Sequence, residues 1–379
     1  MVNETYNVHI TAEIGTAHGG SIQKAKELIR TAVYAGADSV KFQWVYADEI
    51  LHPNTGLVDL PGGKIRLYDR FKQLEVPPQF FSEARDYAHS LGCKFICSPF
   101  GLNSLKQLYA INPDAIKIAS PELNHFPMLK LLKQLQTDNK NPLPVILSSG
   151  VSKLSDIEKA LSCLGKENIT LLHCITSYPA PPEQYNLKVL ESLAAITGVP
   201  VGVSDHSIEA LLVPVLAVAH GATFIEKHIT LSRNTSGLDD PVALEGQDFA
   251  RMVNAIRKTQ ETLNNYGKTQ GKPIIIEELK KNFGNELVEQ TIGDGVKKLA
   301  PAEEANYGRT NRSLHIKKAM RAGDCLTKDC IAVLRTEKEL EVGISPEFID
   351  DVVGAILTKD IEAGQGISWK HLISCGFAS

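Results

Sequence analysis

Residues 199–228 read VPVGVSDHSIEALLVPVLAVAHGATFIEKH, and this stretch contains the unit from which the fold is built. Two short apolar runs, Val199–Ser204 and Ala222–His228, each end on polar residues, and a helix-like segment separates them. Strands that alternate with helices pair in parallel. Six further runs of this kind lie upstream: Val8–Ile14, Ser39–Gln43, Lys94–Ser98, Ala115–Ile118, Pro144–Ser149 and Ile169–Thr176.

The number of runs predicts how the sheet closes. Eight parallel strands with intervening helices form a (β/α)8 TIM barrel, which needs about 250 residues. The chain has 379 residues, so about a third remains for a second unit. We predict an α/β protein with a TIM barrel over residues 1–268, a linker with some short helix over 269–310, and a small β-rich domain over 311–379.

The predicted C-terminal domain has short strand-like pieces at Ser313–Ile316, Ile331–Leu334 and Val353–Ile356. It also contains two similar phrases, KKAMRAGDCL at Lys317–Leu326 and TKDIEAGQGI at Thr358–Ile367. Their shared form indicates a weak internal duplication.

A long insertion follows the second run, from Val45 to about Pro78. Loops of this length in a compact domain are uncommon and are often functional. We interpret it as a lid or a substrate-shaping segment, with an irregular surface excursion as the alternative.

Composition limits the class of protein. Hydrophobic residues make up 43% and charged residues 22%, which is ordinary for a globular protein, and the net charge of −4 gives no indication of a nucleic-acid partner. Seven cysteines without a CxxC pair are typical of reduced thiols. We see no signal-peptide pattern at the N-terminus and no apolar run near the ~20 residues of a membrane span. We therefore expect a cytoplasmic protein without a membrane partner.

Two lysines, Lys41 and Lys117, lie near the ends of the second and fourth runs. TIM barrels carry their chemistry at this end of the strands, where a poorly solvated ammonium group needs a counter-ion. A bound phosphate or carboxylate would supply it. The alternatives are an internal ion pair with Glu13, Glu122 or Glu226, or a Schiff-base lysine. Short donors for phosphate oxygens at the same ends are Ser120, Ser148 and Ser204.

Two histidines, His206 and His228, follow the seventh and eighth runs, which are neighbours in a barrel. They could share one divalent metal, with water and a substrate oxygen completing its shell. Glu226 leaves its strand on the same side as His228, and Asp205 could orient an imidazole. The alternative is that each histidine is a hydrogen-bonded structural residue. For His173, which lies deeper in the sixth run, we expect a packing role.

The chain resembles the sialic acid synthase family, enzymes that condense phosphoenolpyruvate (PEP) with an N-acylated hexosamine. The matching phrases occur in the family's order across nearly the whole chain. They are EIGTAHGG (Glu13–Gly20), KFQ (Lys41–Gln43), SPF (Ser98–Phe100), KIASPELN (Lys117–Asn124), SSG (Ser148–Gly150), SYPAP (Ser177–Pro181), VSDHS (Val203–Ser207), IEKHITL (Ile225–Leu231) and the pair Arg312-Ser313.

The resemblance implies an anion site and a metal site. His206 and His228 look like the ligands of a divalent metal, manganese in first place, with magnesium and cobalt as alternatives. The residues that look like the PEP-binding set are Lys41, Lys117, Ser120, Ser148 and Ser204.

The resemblance also implies a second substrate and a partner subunit. The carboxylates Glu13, Glu122 and Glu226 look like the acid–base group, and the tail looks like the family's antifreeze-like (SAF) domain. Arg312 looks like the arginine that reaches the partner's active site, which implies a domain-swapped homodimer. The sugar-binding residues implied in this way are Gln43, Tyr178, Asp239 and Arg312.

Three features differ from the family's common pattern, and one is the insertion after the second run, since Ile50–Phe71 is not the segment expected in typical synthases. Thr176 stands where sialic acid members often have asparagine, and Gly237–Asp240 reads GLDD where the family commonly has GPDH. The sugar therefore stays open among N-acetylmannosamine, its 6-phosphate and diacetamido-dideoxy sugars.

The function implied is metal-dependent condensation of PEP with an amino sugar to give a nonulosonic acid and phosphate. Two alternative functions remain open from the sequence. One is a Schiff-base aldolase or lyase that acts on keto acids through Lys117, and the other is a non-catalytic carbohydrate-binding protein.

Overall fold

The computed structural model describes residues 6–60, 63–139, 142–235 and 237–372. Strands lie throughout this part of the chain, and most of them belong to one sheet. They are β1 (His9–Gly15), β2 (Ser39–Trp44), β3 (Leu57–Leu60), β4 (Gly63–Arg66), β5 (Lys94–Pro99), β6 (Ala115–Ile118), β7 (Val145–Ser148), β8 (Ile169–Cys174), β9 (Val201–Asp205), β10 (Phe224–Thr230), β11 (Leu244–Glu245), β12 (Arg312–Ile316) and β13 (Ile331–Arg335).

The main sheet is a closed barrel of eight parallel strands. Their order is β1-β2-β5-β6-β7-β8-β9-β10, and β10 pairs with β1 to close the ring, with His9 opposite Phe224. Every residue of β10 is buried, as expected for strands that are covered by helices on the outside. All eight predicted runs form these strands, and the predicted TIM barrel is confirmed.

Helices cover the outside of the barrel and continue beyond it. Those described are α1 (Ile22–Tyr34), α2 (Ala47–Ile50), α3 (Leu67–Gln73), α4 (Pro78–Ser90), α5 (Leu102–Ala110), α6 (Phe126–Thr137), α7 (Leu154–Leu164), α8 (Val189–Thr197), α9 (Leu212–Ala219), α10 (Gly246–Phe283), α11 (Asn285–Ile292), α12 (Pro301–Glu304) and α13 (Ile349–Val352). In α1, for example, Ser21 caps the N-terminus by accepting from the amide of Lys24, and the residues at i, i+3 and i+4 spacing are buried.

Residues 269–310, predicted as a linker with some short helix, contain more helix than expected. The helix α10 runs through to Phe283 with one kink at Gly267, where φ is +71°. Beyond the kink, Ile275 and Leu279 are buried in the barrel's hydrophobic core, as is Val288 of α11. This segment is therefore packed against the barrel rather than spanning a gap.

The C-terminal domain has its own small core, built around Leu314, Ile316 and Ile367. Its strands β12 and β13 are antiparallel and confirm two of the three predicted pieces. The third, Val353–Ile356, does not form a strand: α13 ends at Val352, Gly354 turns the chain with φ +92°, and of the predicted piece only Ile356 forms a β-bridge, with Cys325. The two similar phrases lie against each other through an antiparallel bridge between Met320 and Ile361.

The insertion after β2 is a folded segment rather than an irregular excursion. It contains α2, the β3–β4 hairpin and α3, with a cluster of buried apolar side chains that includes Ile50, Leu51 and Phe71. The backbone of Glu49 and Ile50 accepts hydrogen bonds from the C-terminal domain. The insertion thus lies between the barrel and that domain.

Among the helices of the described residues, none combines the length and the apolar character needed to cross a membrane.

Candidate active site

Two buried lysines and two buried carboxylates form one network at the carboxyl ends of the barrel strands. Lys41 Nζ lies 2.6 Å from Glu13 Oε2 and 3.7 Å from Glu226 Oε1. Lys117 Nζ lies 3.5 Å from the same Glu226 oxygen. The internal ion pairs left open by the sequence are therefore present, with Glu13 and Glu226 as partners and without Glu122.

Burial and charge act differently on the members of this network. Burial raises the pKa of Glu13, with Lys41 opposing it. Burial alone would raise the pKa of Glu226, but Lys117 and Lys41 outweigh it and lower that pKa. Burial lowers the pKa of Lys117, for which the single carboxylate of Glu226 compensates incompletely. Burial alone would lower the pKa of Lys41, but its carboxylate partners outweigh it and raise that pKa, so Lys117 is the less completely compensated of the two lysines.

Polar side chains orient the two carboxylates. Gln43 Nε2 donates to Glu13 Oε1 at 2.7 Å, and Ser204 Oγ donates to Glu226 Oε1 at 2.9 Å. The other oxygen of Glu226, Oε2, is buried without a hydrogen-bond partner. Lys41 Nζ also donates to Ser98 Oγ at 3.4 Å. In the sequence, Ser98 belongs to the matching phrase SPF, and no role was predicted for it.

Hydroxyl groups without partners lie beside the loop that follows β7. Ser148 Oγ and Thr176 Oγ1 are both buried without a hydrogen-bond partner. The amide of Gly150 donates to Ser120 Oγ at 3.0 Å, and a Cβ on Gly150 would lie 2.2 Å from Thr176 Oγ1. Buried polar groups are normally paired, so these hydroxyls are arranged for a ligand that presents acceptor oxygens.

The two histidines lie side by side, as the sequence predicts. The ring centroids of His206 and His228 are 5.6 Å apart, and both side chains are buried. His206 Nδ1 donates to the carbonyl of Ile175 at 2.8 Å, so Nε2 is the ring nitrogen that a metal would use. Burial alone would lower the pKa of His206, but the Cys174 thiol outweighs it and raises that pKa to about 9, so a metal would displace a proton from Nε2. Tyr178 stacks on His206, and its hydroxyl lies 3.2 Å from that Nε2 atom.

The donor set fits an open catalytic metal site. Burial lowers the pKa of His228 well below its usual value, so the ring stays in its neutral, ligating form. Asp239 Oδ2 lies 3.9 Å from His228 Nδ1. Within the described ranges there is no group of three or more His, Cys, Asp or Glu side chains placed to hold a metal. Two imidazoles alone would leave positions for water and a substrate oxygen.

Gly15 lies between the histidine cluster, which is His206 and His228 with Asp239 beside them, and the network of the two lysines and their carboxylates. Its φ is +55°, and an added Cβ would lie 3.2 Å from Gln43 Nε2, 3.3 Å from Glu13 Oε1 and 3.5 Å from Asp239 Oδ2. The predicted sugar-binding residues Gln43 and Asp239 therefore border the same space as Glu13.

Glu122 and Arg312 form a separate pair. Arg312 Nε donates to Glu122 Oε2 at 2.5 Å, and Arg335 Nη2 donates to Glu122 Oε1 at 2.8 Å. Burial alone would raise the pKa of Glu122, but the two arginines outweigh it and lower that pKa. Arg335 carried no signal in the sequence. Since both oxygens of Glu122 are occupied, this geometry disfavours the acid–base role that the resemblance implies.

Arg312 binds within its own chain here. Besides Glu122, its guanidinium donates to the carbonyls of Glu49, Ile50 and Phe100. The implied contact with a partner subunit stays a prediction.

The proposed role of Asp205 beside His206 is wrong. Asp205 pairs with Lys227 Nζ at 2.6 Å and accepts from Tyr185 Oη at 2.8 Å. Successive residues of a strand point to opposite faces, so Asp205 turns away from the imidazole. His173 is buried, and its Nε2 lies 2.7 Å from the carbonyl of Tyr185, consistent with a structural role.

Known proteins resemble both parts of the chain. The NeuB family model matches residues 28–268, and the SAF domain model matches residues 311–373. The spore coat polysaccharide biosynthesis protein SpsE of Bacillus subtilis is 32% identical over 372 residues, covering 97% of this chain and 94% of that protein. Its crystal structure covers 97% of this chain and 95% of that chain, with a TM-score of 0.78.

Two further relatives carry enzymatic names. The N,N'-diacetyllegionaminic acid synthase of Campylobacter jejuni is 32% identical over 361 residues, covering 93% of this chain and 96% of that protein. The crystal structure of the N-acetylneuraminic acid (sialic acid) synthetase of Leptospira borgpetersenii, in complex with citrate, has a TM-score of 0.62 and 30% identity. It covers 73% of this chain and 92% of that chain.

Proposed function

Because the chain belongs to the NeuB family and carries a SAF domain, we propose that it is a PEP-condensing transferase. It would join PEP to an N-acylated amino sugar and release a nonulosonic acid and phosphate. Synthases of this type appear among its relatives, including those named for legionaminic and pseudaminic acid. The observation that carries the proposal is the buried, incompletely compensated Lys117 together with the unpartnered hydroxyls of Ser148 and Thr176.

The anion site would receive PEP. Lys117 and Lys41 would meet its negative charges, and Ser148, Thr176 and Ser120 would donate to its oxygens. Such fixed donors in a water-poor site stabilise charge without reorganising. This arrangement would hold the nucleophilic C3 of PEP towards the histidine cluster.

The histidine cluster would receive the carbonyl end of the open-chain sugar. A divalent metal held by His206 and His228 would supply Lewis-acid polarisation of the aldehyde oxygen. Tyr178, which is half exposed beside His206, and Asp239 would contact the sugar's hydroxyl groups. Gln43, on the far side of Gly15, would fix the orientation of the same substrate.

C3 of PEP attacks the aldehyde carbon, a carbon–carbon bond forms, and positive charge develops at C2. Water adds at C2, and the resulting hemiketal phosphate loses phosphate by C–O cleavage. Glu226, whose Oε1 lies beside both lysines and whose Oε2 has no hydrogen-bond partner, would stabilise C2 and take the proton of that water. Glu122 would not take this role, because two arginines occupy its oxygens.

Glu13 would hold the sugar side of this network in place. Its Oε2 lies 2.6 Å from Lys41 Nζ, and its Oε1 accepts from Gln43 Nε2 at 2.7 Å beside Gly15. Because both of its oxygens are engaged, as those of Glu122 are, it would orient Lys41 and Gln43 towards the substrates rather than transfer a proton.

The direct test is phosphate release. Purified protein with Mn²⁺ and PEP would be given N-acetylmannosamine, its 6-phosphate and diacetamido-dideoxy sugars separately, with mass spectrometry of the products. We expect phosphate only when PEP and one suitable sugar are both present, with a product mass equal to sugar plus pyruvate. Borohydride trapping of a keto acid on Lys117, without phosphate release, would instead support an aldolase.

A further inference from the structure

Val151, directly after the SSG phrase, is held in an unfavourable backbone conformation. Its φ is +41° and its side chain is fully buried. A positive φ is a genuine outlier for a β-branched residue and is energetically unfavourable. Such a conformation persists only where neighbouring groups enforce it, so the contacts of this loop identify what holds it.

A single carboxylate oxygen provides the main restraint. Glu303 Oε1 accepts from the amide of Val151 at 2.7 Å and from the amide of Thr176 at 2.7 Å. Its other oxygen accepts from the amide of Ala300 at 3.2 Å. Glu303 is 1% exposed and lies in α12, outside the barrel. It therefore ties the loop after β7 to the loop after β8.

Two other residues of the same interdomain segment hold the neighbouring carbonyls. Lys297 Nζ donates to the carbonyl of Ser149 at 3.1 Å, and Asn311 Nδ2 donates to the carbonyl of Val151 at 3.1 Å. The segment from Lys297 to Asn311 thus contacts the backbone on both sides of Gly150. That backbone follows directly from Ser148, whose buried hydroxyl has no hydrogen-bond partner.

We propose that Glu303 is a positioning residue for the phosphate group of PEP. It does not contact the anion, because both of its oxygens accept from backbone amides, and in this way it fixes the amides of Val151 and Thr176. Fixing them aims the hydroxyls of Ser148 and Thr176 and keeps Gly150 close enough to donate to Ser120. The role rests on the proposed function for its ligand, while the restraint itself rests on the contacts of Glu303.

The experiment compares Glu303→Ala with Glu304→Ala, whose side chain is exposed one residue away. In Glu303→Ala we expect the KM for PEP to rise about tenfold or more, because hydrogen bonds to a charged acceptor are lost from both loops. The KM for the sugar should stay within about twofold, because Glu303 touches none of the sugar-side residues. Glu304→Ala should resemble the wild type in both constants.

A second substitution tests the strain itself. Glycine adopts φ +41° without a steric cost, so Val151→Gly added to Glu303→Ala should recover part of the lost affinity for PEP. Glu303→Gln retains an acceptor oxygen for the two amides and should lie between the wild type and Glu303→Ala; it replaces the alanine variant if that protein does not fold.

A measurement without turnover separates this inference from the proposed function. Inorganic phosphate should raise the thermal midpoint of the wild type at concentrations that leave Glu303→Ala unchanged. Equal phosphate responses, or equal KM values for PEP in Glu303→Ala and Glu304→Ala, would overturn the role of Glu303. A phosphate response that depends on Glu303 in a protein without PEP turnover would overturn the proposed function alone.

Discussion

The pair between Arg312 and Glu122 predicts how the SAF domain is attached to the barrel. Arg312 is 1% exposed and Glu122 is fully buried. The substitution Arg312→Met removes the guanidinium but keeps an apolar side chain of similar length. It leaves Glu122 with Arg335 alone and removes the donor from the carbonyls of Glu49 and Phe100.

The expected loss follows from these contacts. Breaking a buried ion pair by removing one partner costs about 3–5 kcal/mol. The remaining partner Arg335 keeps part of the charge compensation, so we expect about 3 kcal/mol for Arg312→Met and a similar loss for Glu122→Gln. Since both singles break the same contact, the double variant should lose about 1–3 kcal/mol less than their sum.

Urea unfolding provides the assay, because each domain contains one of the chain's two tryptophans, Trp44 in the barrel and Trp369 in the C-terminal domain. Fluorescence and circular dichroism should both show the lowered midpoint. Arg321→Met is the matched control: Arg321 pairs with Asp360 at the surface, and its loss should leave the midpoint unchanged.

Additive losses, or an Arg312→Met midpoint equal to that of Arg321→Met, would refute the reasoning that Arg312 and Glu122 are coupled within one folded chain. Size-exclusion chromatography adds a separate readout. A dimer that dissociates in Arg312→Met would place this contact between subunits, as the resemblance to domain-swapped relatives implies.

Three further outcomes are expected. Lys117→Met should lower kcat/KM for PEP by about a hundredfold or more, while Lys94→Met, exposed at the start of β5, should not; equal values in a steady-state phosphate assay would remove Lys117 from the anion site. His228→Ala should abolish Mn²⁺ binding when this is measured by calorimetry, and unchanged binding would show that His228 is not a metal ligand. Burial, aided by Arg312, lowers the pKa of His125 to about 3. Below about pH 6.5 the unfolded chain therefore binds a proton at His125 that the folded protein does not bind, and the free energy of unfolding falls as the pH drops. His125→Asn keeps an acceptor for the first turn of α6 and should show a shallower loss of the urea midpoint between pH 6.5 and pH 4; an unchanged pH dependence would contradict that assignment.

The barrel could be predicted from the sequence because its signal is local. Each run is short, apolar and closed by polar residues, and parallel pairing places those residues at one end. Lys41, Lys117 and Glu226 were found in this way, and they do meet. The error at Asp205 was avoidable, since alternation along β9 places it on the opposite face from Ser204.

The remaining features depend on contacts between distant parts of the chain. Glu122 and Arg312 are 190 residues apart, and their pairing requires the C-terminal domain to be placed against the barrel. Glu303 binds backbone amides of two loops, and a carboxylate that accepts from amides needs no motif in its targets. Neither arrangement leaves a periodic or compositional trace that a single sequence would reveal.

The reciprocal contact between Met320 and Ile361, in which each amide donates to the other's carbonyl at 2.9 Å, has a consequence for the history of the domain. A self-complementary contact of this kind is what two identical peptides form about a twofold axis. The two similar phrases, Lys317–Leu326 and Thr358–Ile367, therefore meet across a local twofold axis within one chain, which is the arrangement expected if one phrase is a copy of the other.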